Sequence, residues 1–190
     1  MKSNLTISMR WNLWKNIMNS LTALSLSIAI LSGVATFLAV GPLSGIFFIW
    51  AATIAWAAYF FLGANQEALK NTIVCGIFGV VMAWLTAIQL TNIAPDAVLG
   101  FPFWAAIIVA FSVVVLCLAA VVPALASIPT SVLGYSATFA YLLQTPDKLN
   151  KEILLNASFD NPLIVISISI VVGAFFGHFS GQLSAKWTKA

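Results

Sequence analysis

The sequence predicts an all-α polytopic membrane protein with six transmembrane helices. Of its 190 residues, 62% are hydrophobic and only 7% are charged, whereas soluble domains carry about 25% charged residues. The few charges are separated by long charge-free gaps of bilayer length. A chain with so little polar surface would not stay dissolved, so its expected surroundings are a lipid bilayer.

The charge-free gaps set the number of crossings. No Asp, Glu, Lys or Arg occurs in residues 16–66, 71–95, 97–146 and 161–185, which are gaps of 51, 25, 50 and 25 residues counted inclusively. A charge at the bilayer centre costs about 2.5–3.5 kcal/mol, and one crossing needs about 20 apolar residues. The gaps therefore accommodate two, one, two and one crossings.

Proline and glycine divide the two long gaps. Gly41-Pro42 splits the first gap, and Pro123 splits the second. Proline fixes φ and lacks a backbone N–H, so it fits tight turns and first helical turns. The six predicted helices cover residues 20–40, 43–62, 72–91, 103–122, 125–143 and 162–183.

Three regions are expected: a cytoplasmic or interfacial lead-in at 1–19, the six-helix membrane domain at 20–183, and a cytoplasmic tail at 184–190. Trp11 and Trp14 are typical of an interfacial segment. Lys and Arg are enriched on the cytoplasmic side of membranes. Both termini are expected there, since this places six basic residues inside and two outside: Lys2, Arg10, Lys15, Lys70, Lys186 and Lys189 against Lys148 and Lys151.

The gap pattern is also the one expected of an internal repeat. A double crossing followed by a single one occurs twice, and an offset of 80 residues places residues 57–71 over 137–151. Two halves of three crossings each would be inverted relative to one another, a common plan of channels and secondary transporters. Loops that simply recur at bilayer spacing would give the same pattern, so both interpretations stay open.

The fifth predicted helix is broken at its start and carries hydroxyl groups. Pro129 leaves carbonyl groups without helical partners, which is tolerated at membrane depth only where protein or water covers them. Ser131, Tyr135 and Thr138 follow at i, i+4 and i+7 and share one helical face. These three residues are expected either to line a solute pore or to hydrogen-bond to other helices.

The second predicted helix is rich in aromatic residues. Trp50 and Thr53 lie near one face and are the pore-lining candidates of this helix. Aromatic side chains in membranes also fill space or form interfacial belts, which is the alternative for Trp50.

The sixth predicted helix contains Gly173, Gly177 and Gly181 in a GxxxGxxxG series. Small residues at this spacing let two helix backbones approach closely, either within one chain or between subunits of a homo-oligomer. His178, the one histidine of the sequence, is a gating candidate because imidazole titrates near neutral pH. The alternative is a hydrogen-bonded structural residue.

The sequence lacks the residue patterns that several classes of function require. No Asp, Glu, Lys or Arg lies deep in a predicted helix, which argues against proton or sodium coupling through carboxylates. No paired carboxylates, phosphate-binding loop or nucleophile set occurs, so we expect no enzymatic activity. Cys75 and Cys117 lie in apolar runs without metal-ligand spacing, so neither a metal nor a cofactor is expected. The net charge of +3 is too small to indicate nucleic-acid binding.

Two motifs resemble a bacterial inner-membrane family, domain of unknown function 1097. One runs from Trp50-Ala51 to Ala58-Tyr59-Phe60, and the other is Pro129-x4-Gly134-x2-Ala137-Thr138-Phe139-Ala140. The glycine-rich last helix is similar too, and the resemblance covers roughly residues 20–183. The lead-in, the polar 144–160 loop and the residues after Phe60 depart from the family pattern. The resemblance implies a bacterial inner-membrane location but no substrate.

Together these features favour a channel or facilitator for a small neutral or weakly polar solute. Its partners would be the lipid bilayer, the solute and other copies of the chain. The alternative function is a non-transporting membrane protein that assembles with or stabilises a partner through its GxxxG face.

Overall fold

The fold is that of a computed structural model, which describes residues 19–94, 96 and 98–189; Trp11 and Trp14 lie outside the described residues. Every regular element in these ranges is helical, which confirms the all-α prediction for them. The helices are α1 Ser20–Val40, α2 Ile49–Phe61, α3 Gln66–Leu90, α4 Gly100–Leu118, α5 Ile128–Gln144, α6 Lys151–Leu155 and α7 Pro162–Lys189. Two 3-10 turns, Ala119–Val121 and Pro123–Leu125, connect α4 to α5.

Four helices are long and apolar enough to cross a membrane, judged by length and composition: α1, α3, α4 with the turn that follows it, and α7. The other two predicted crossings correspond to shorter helices, α2 with 13 residues and α5 with 17. The predicted first helix, 20–40, has the bounds of α1. The described residues thus contain four full-length helices and two short ones in place of six equal crossings.

The two short helices begin late because turns occupy the residues before them. Residues 41–47 form turns and a bend, with Gly45 at a φ of +83° that favours glycine, so α2 begins at Ile49 and not at 43. Residues 119–127 form the break expected around Pro123, with Val122 extended, so α4 ends at Leu118. Pro129 then lies in the first turn of α5, where its missing N–H costs no helical bond.

Two other helix ends differ from the prediction. Helix α3 begins at Gln66 and not at 72, because the Asn65 side chain accepts a hydrogen bond from the Ala68 N–H and caps the helix. Helix α7 continues to Lys189. The tail expected from residue 184 is therefore helical as far as it is described.

We call the end where α1 begins and α7 ends the near end, and the opposite end the far end. Helix α2 packs along α7, and α5 packs along α3. Both pairs make close backbone contact through glycine. A methyl group at Gly173 would overlap the carbonyl oxygen of Ala52, and one at Gly79 would overlap that of Ser131. Only glycine permits these approaches.

Helices α1 and α4 lie at the periphery. Helix α1 buries only Ala23, Ser27 and Ala35, and α4 buries only Ser112 and Leu116. Helix α1 attaches mainly to α7, and α4 attaches mainly to α3. The central layer therefore consists of α2, α3, α5 and α7.

The polar segment after α5 is more ordered than the loop that the sequence predicts. It contains α6, whose Leu154 is fully buried in a cluster with Ala87 and Leu142. The Trp84 indole N–H donates a hydrogen bond of 2.7 Å to the carbonyl oxygen of Leu154. Because Trp84 lies six residues before the end of α3, this segment reaches about 9 Å below the far end of that helix.

Candidate functional site

A cavity of about 210 Å³ opens at the far end, above the start of α2. We call it the far-end vestibule and define it by Phe48, Tyr141 and Asp160, its aromatic and polar lining. The remaining lining residues are Ala39, Val40, Gly45, Phe47, Ile49 and Val165. Its wall is thus largely apolar with a small polar part, which is typical of small-molecule sites.

The floor of the vestibule is the first turn of α2, and a side chain of α7 holds it in place. The Ser169 hydroxyl accepts a hydrogen bond of 2.7 Å from the backbone N–H of Phe48 and donates one of 2.6 Å to the carbonyl oxygen of Val165. Phe48 itself provides no side-chain cap. Ser169 lies seven residues into α7, so α2 starts about 10 Å below the far end of that helix.

Tyr141 of α5 forms one wall. Its hydroxyl donates a hydrogen bond of 3.3 Å to the carbonyl oxygen of Asp160. Its ring meets the Phe48 ring edge to face, with centroids 5.5 Å apart, a favoured aromatic arrangement. This pair joins the start of α2 to the last turns of α5.

An ion pair stands at the mouth of the vestibule. The Lys148 ammonium contacts the Asp160 carboxylate; the Lys148 side chain is 18% exposed and that of Asp160 is 63% exposed. The hydrogen bond that Lys148 donates to Asp160 is the main cause that raises the pKa of Lys148 above its ordinary value of 10.5. Lys148 therefore stays charged across the physiological range and joins the beginning of the 145–161 segment to its end, two residues before α7.

The seam below the vestibule is closed. Helices α2, α3, α5 and α7 meet there in a cluster of small and branched apolar side chains: Ala51, Ala55, Val80, Ala137, Val165, Ile166 and Ile170, together with Tyr141. These residues are at most 7% exposed. The vestibule thus ends at a constriction of buried apolar side chains. A solute could pass along this seam only if the helices moved apart.

The five predicted pore residues do not share one surface. Trp50 is 66% exposed. Thr53 donates a hydrogen bond to the Trp50 carbonyl oxygen and lines an outer crevice between α1 and α2. Ser131, Tyr135 and Thr138 are buried. Ser131 and Thr138 are thus enclosed by neighbouring helices, and Tyr135 lines a cavity of about 500 Å³ between α4 and α5. The two α2 candidates lie at outer positions of the bundle.

The three buried α5 candidates differ in their partners. The Tyr135 hydroxyl shares a hydrogen bond of 2.8 Å with Ser112 of α4, and Thr138 donates one of 2.9 Å to the Gly134 carbonyl oxygen. Ser131 is 1% exposed and has no hydrogen-bond partner among the described residues. Ser131 is therefore the candidate whose hydroxyl group stays free.

His178 lies near the other end of the bundle, away from the vestibule. The Tyr59 hydroxyl donates to the carbonyl oxygen of Ala64, so His178 Nδ1, 3.2 Å away, must be the donor to Tyr59. His178 Nε2 then accepts from the Gln182 amide nitrogen at 2.8 Å. This network gives each ring nitrogen of His178 a hydrogen-bond partner.

The three glycines of α7 have unequal surroundings. Gly173 meets the backbone of α2 at Ala52, and a Cβ at Gly177 would lie 2.8 Å from the Tyr59 ring and 3.0 Å from the Trp56 ring. A Cβ at Gly181 would meet only Phe60, at 3.9 Å. The face formed by Gly173 and Gly177 is therefore covered by α2 of the same chain.

The sequence analysis did not find Phe48, Tyr141, Lys148, Asp160 or Ser169. Helical periodicity could have indicated Tyr141, because it lies three residues after Thr138 and continues the stripe that begins at Ser131. Lys148 and Asp160 served only as loop charges in the count of crossings. Nothing in the sequence pairs Ser169 with Phe48, since 121 residues separate them.

The fold and the vestibule define a class: an all-helical protein whose long helices have the length and apolarity of membrane spans. Within that class, residues 25–185 match the model of a family described as a protein of unknown function, DUF1097. Because the match covers most of the chain, the protein belongs to this family, as its motifs indicated. Searches of curated proteins and of solved structures gave no match.

Proposed function

We propose that this protein is a channel or facilitator for a small neutral or weakly polar solute in a bacterial inner membrane. The observation that carries the proposal is the pair of short helices, α2 and α5. Each follows a turn-rich break and begins inside the span of its neighbours, and the two pack against each other in the central layer. Short or interrupted helices in corresponding positions of two halves are the best sequence-level pointer to a transporter's binding site.

The proposal includes an inverted repeat of α1–α3 and the unit of α4, α5 and α7. Its support is the repeated packing: α2 lies along α7 as α5 lies along α3, and α1 attaches to α7 as α4 attaches to α3. The glycine contacts correspond as well, since Gly173 meets Ala52 as Gly79 meets Ser131. In this scheme the solute path runs where the two halves meet.

The positions of the charges favour a neutral solute. In the described long helices, charged residues occur only in the first five residues of α3 and the last four of α7: Glu67, Lys70, Lys186 and Lys189. A path between α2 and α5 would carry no fixed charge in its middle. The alanines of the seam would then act as a hydrophobic constriction, a known way to gate a pore.

The test is solute flux into liposomes that contain the purified protein. Urea, glycerol and ammonia are expected to enter faster than into empty liposomes, whereas formate and acetate are not. Flux of the two anions alone would contradict the neutral-solute proposal. Equal rates with and without protein for all five solutes would contradict transport altogether.

Substitutions of two tyrosines of α5 test where the solute path lies. Tyr141→Phe removes the vestibule hydroxyl and keeps the ring, so it is expected to change flux by about two- to tenfold, the value of one hydrogen bond. Tyr135→Phe is the matched variant, because its hydroxyl meets Ser112 outside the vestibule. If Tyr135→Phe has the larger effect, the path follows the predicted Ser131–Tyr135–Thr138 face.

We further propose that both termini are cytoplasmic, so the near end faces the cytoplasm. Alkaline phosphatase fused after Asp96 or Lys151 should then be active, and fusions at Glu67 or at the C-terminus should be inactive. The reverse pattern would overturn the orientation. Activity on both sides of a single predicted crossing would overturn the count of six.

The alternative, assembly through the GxxxG face, has less support because α2 of the same chain covers Gly173 and Gly177. A homo-oligomer stays a prediction. Light scattering on the detergent-purified protein measures it directly.

A further inference from the structure

Two buried hydroxyl groups in the pair of α3 and α5 have no hydrogen-bond partner among the described residues: those of Thr72 and Ser131. Thr72 is 0% exposed and Ser131 is 1% exposed. A buried hydroxyl without a partner is unfavourable to folding. In a bilayer, lipid cannot supply the missing partner, so each of these groups calls for an explanation.

Thr72 belongs to α3 and Ser131 to α5, the two helices of one closely packed pair. The Ser131 carbonyl lies against Gly79 of α3. Thr72 lies seven residues before Gly79, two helical turns towards the near end, so it is on the same face and about 10 Å away. One turn beyond Thr72, the Cys75 thiol contacts the Ala124 carbonyl oxygen at 3.5 Å, in the break before α5. Thr72 thus lies about one turn further towards the near end than the contact of α3 with this break.

Comparable hydroxyls in this fold are satisfied by their own helix. Thr86 of α3 donates to the Met82 carbonyl oxygen at 2.7 Å, and Ser169 of α7 donates to that of Val165. Both bonds run to the residue four positions earlier, the usual partner for Ser and Thr within a helix. Thr72 and Ser131 could use the same kind of bond but do not, so their hydroxyls remain free to bind something else.

We propose that Thr72 and Ser131 are the solute-binding positions of the near-end half of the path, and that they bind a neutral solute able both to donate and to accept hydrogen bonds. A hydroxyl group does both, and no charged residue lies between Lys70 and the end of α3. Urea, glycerol and ammonia have this chemistry. The inference rests on the proposed transport function and adds the binding positions and the solute class to it.

The first measurement is thermal unfolding of Thr72→Val and Ser131→Ala in detergent. An unpartnered hydroxyl replaced by an apolar group is neutral or stabilising, so the Tm should stay unchanged or rise by up to about 4 °C. Thr86→Val and Ser169→Ala are the matched controls on α3 and α7, and both should lower the Tm because they remove hydrogen bonds. A fall of Tm in Thr72→Val and Ser131→Ala similar to that of the controls would overturn the inference, because it would reveal a structural partner.

The second measurement is urea and glycerol flux through the same variants in liposomes. Thr72→Val and Ser131→Ala should each reduce flux about two- to tenfold, the value of one hydrogen bond, while Thr86→Val should leave it unchanged. Wild-type flux in both variants would overturn the inference and leave the proposed transport function intact. No flux in the wild type would overturn both.

Discussion

The start of α2 and the start of α5 each follow a break in the chain but differ in how their polar groups are satisfied. At α2 the Phe48 N–H is bound by Ser169, whose hydroxyl has two partners. At α5 the Ser127 and Thr130 hydroxyls bond only to each other, at 2.7 Å, and Ser131 has no partner among the described residues. The start of α2 is therefore held in place by a hydroxyl group that has two partners. The start of α5 contains a hydroxyl group whose hydrogen-bonding capacity is unused.

The largest expected effect concerns the glycine contacts that hold both short helices. Gly79→Ala and Gly173→Ala each place a methyl group on a backbone carbonyl oxygen that cannot yield like a side chain. Each should destabilise the protein by about 1–3 kcal/mol or more, measured by thermal unfolding in detergent. The two effects should be similar if the α3–α5 and α2–α7 contacts correspond.

Gly33→Ala is the control, because nothing lies within 4 Å of a Cβ at this position of α1. In a helix interior this change should stabilise by about 0.5–1 kcal/mol. An equal loss of stability in Gly33→Ala and Gly79→Ala would mean that the glycine contacts are not the cause.

A smaller effect is expected from the side chains that anchor the two starts. Ser169→Ala leaves the part-buried Phe48 N–H without its partner and should cost about 1 kcal/mol or more. Cys75→Ala removes a 3.5 Å thiol contact to the Ala124 carbonyl oxygen, a weak bond whose loss should cost less. The unfolding midpoints of the two variants are compared. A larger fall of the midpoint for Cys75→Ala than for Ser169→Ala would mean that the start of α5, and not that of α2, is the more firmly anchored.

The smallest effect belongs to the ion pair at the vestibule. Because Asp160 raises the pKa of Lys148, the pair contributes stability fully at pH values below the ordinary lysine value of 10.5. That contribution is lost as the pH rises through the raised pKa of the folded state. Asp160 is largely exposed, so the contribution should be at most about 1 kcal/mol.

Lys148→Met tests this prediction. Its unfolding midpoint should fall slightly below that of the wild type at pH 8, and the two should converge when the pH passes well above 10.5. A difference that persists unchanged at high pH would show that packing of the lysine side chain, and not its charge, is responsible.

The sequence predicted what depends on local chemistry and charge spacing. It placed α1 correctly, gave the all-α class of the described residues, and located both breaks through Pro42 and Pro123. It set the start of α2 six residues too early, because the depth of that start depends on Ser169, a residue far away in the chain. It likewise treated residues 144–160 as a simple loop, because the burial of Leu154 depends on Trp84 and Ala87 of another helix.

The candidate site was less predictable than the fold. Helical periodicity correctly grouped Ser131 and Thr138 on a buried face, but it could not tell that Thr138 bonds to its own helix and Ser131 does not. The vestibule combines residues at the ends of four helices, α1, α2, α5 and α7, and α5 and α7 are distant in sequence from the first two. Its residues gain their roles only from the pairing of helices, which hydrophobicity alone does not specify.

The pairing of α2 with α7 also has a consequence for how the chain is made. Helix α2 has 13 residues, too few to cross a bilayer unaided, and 100 residues separate it from its main partner, α7. About 100 residues must therefore be synthesised after α2 before α7 can pack against it. Until then α2 lacks its main partner in the nascent chain. Ending translation before Pro162 should accordingly leave a product that membrane proteases degrade, whereas a truncated chain of normal half-life would show that α2 settles without α7.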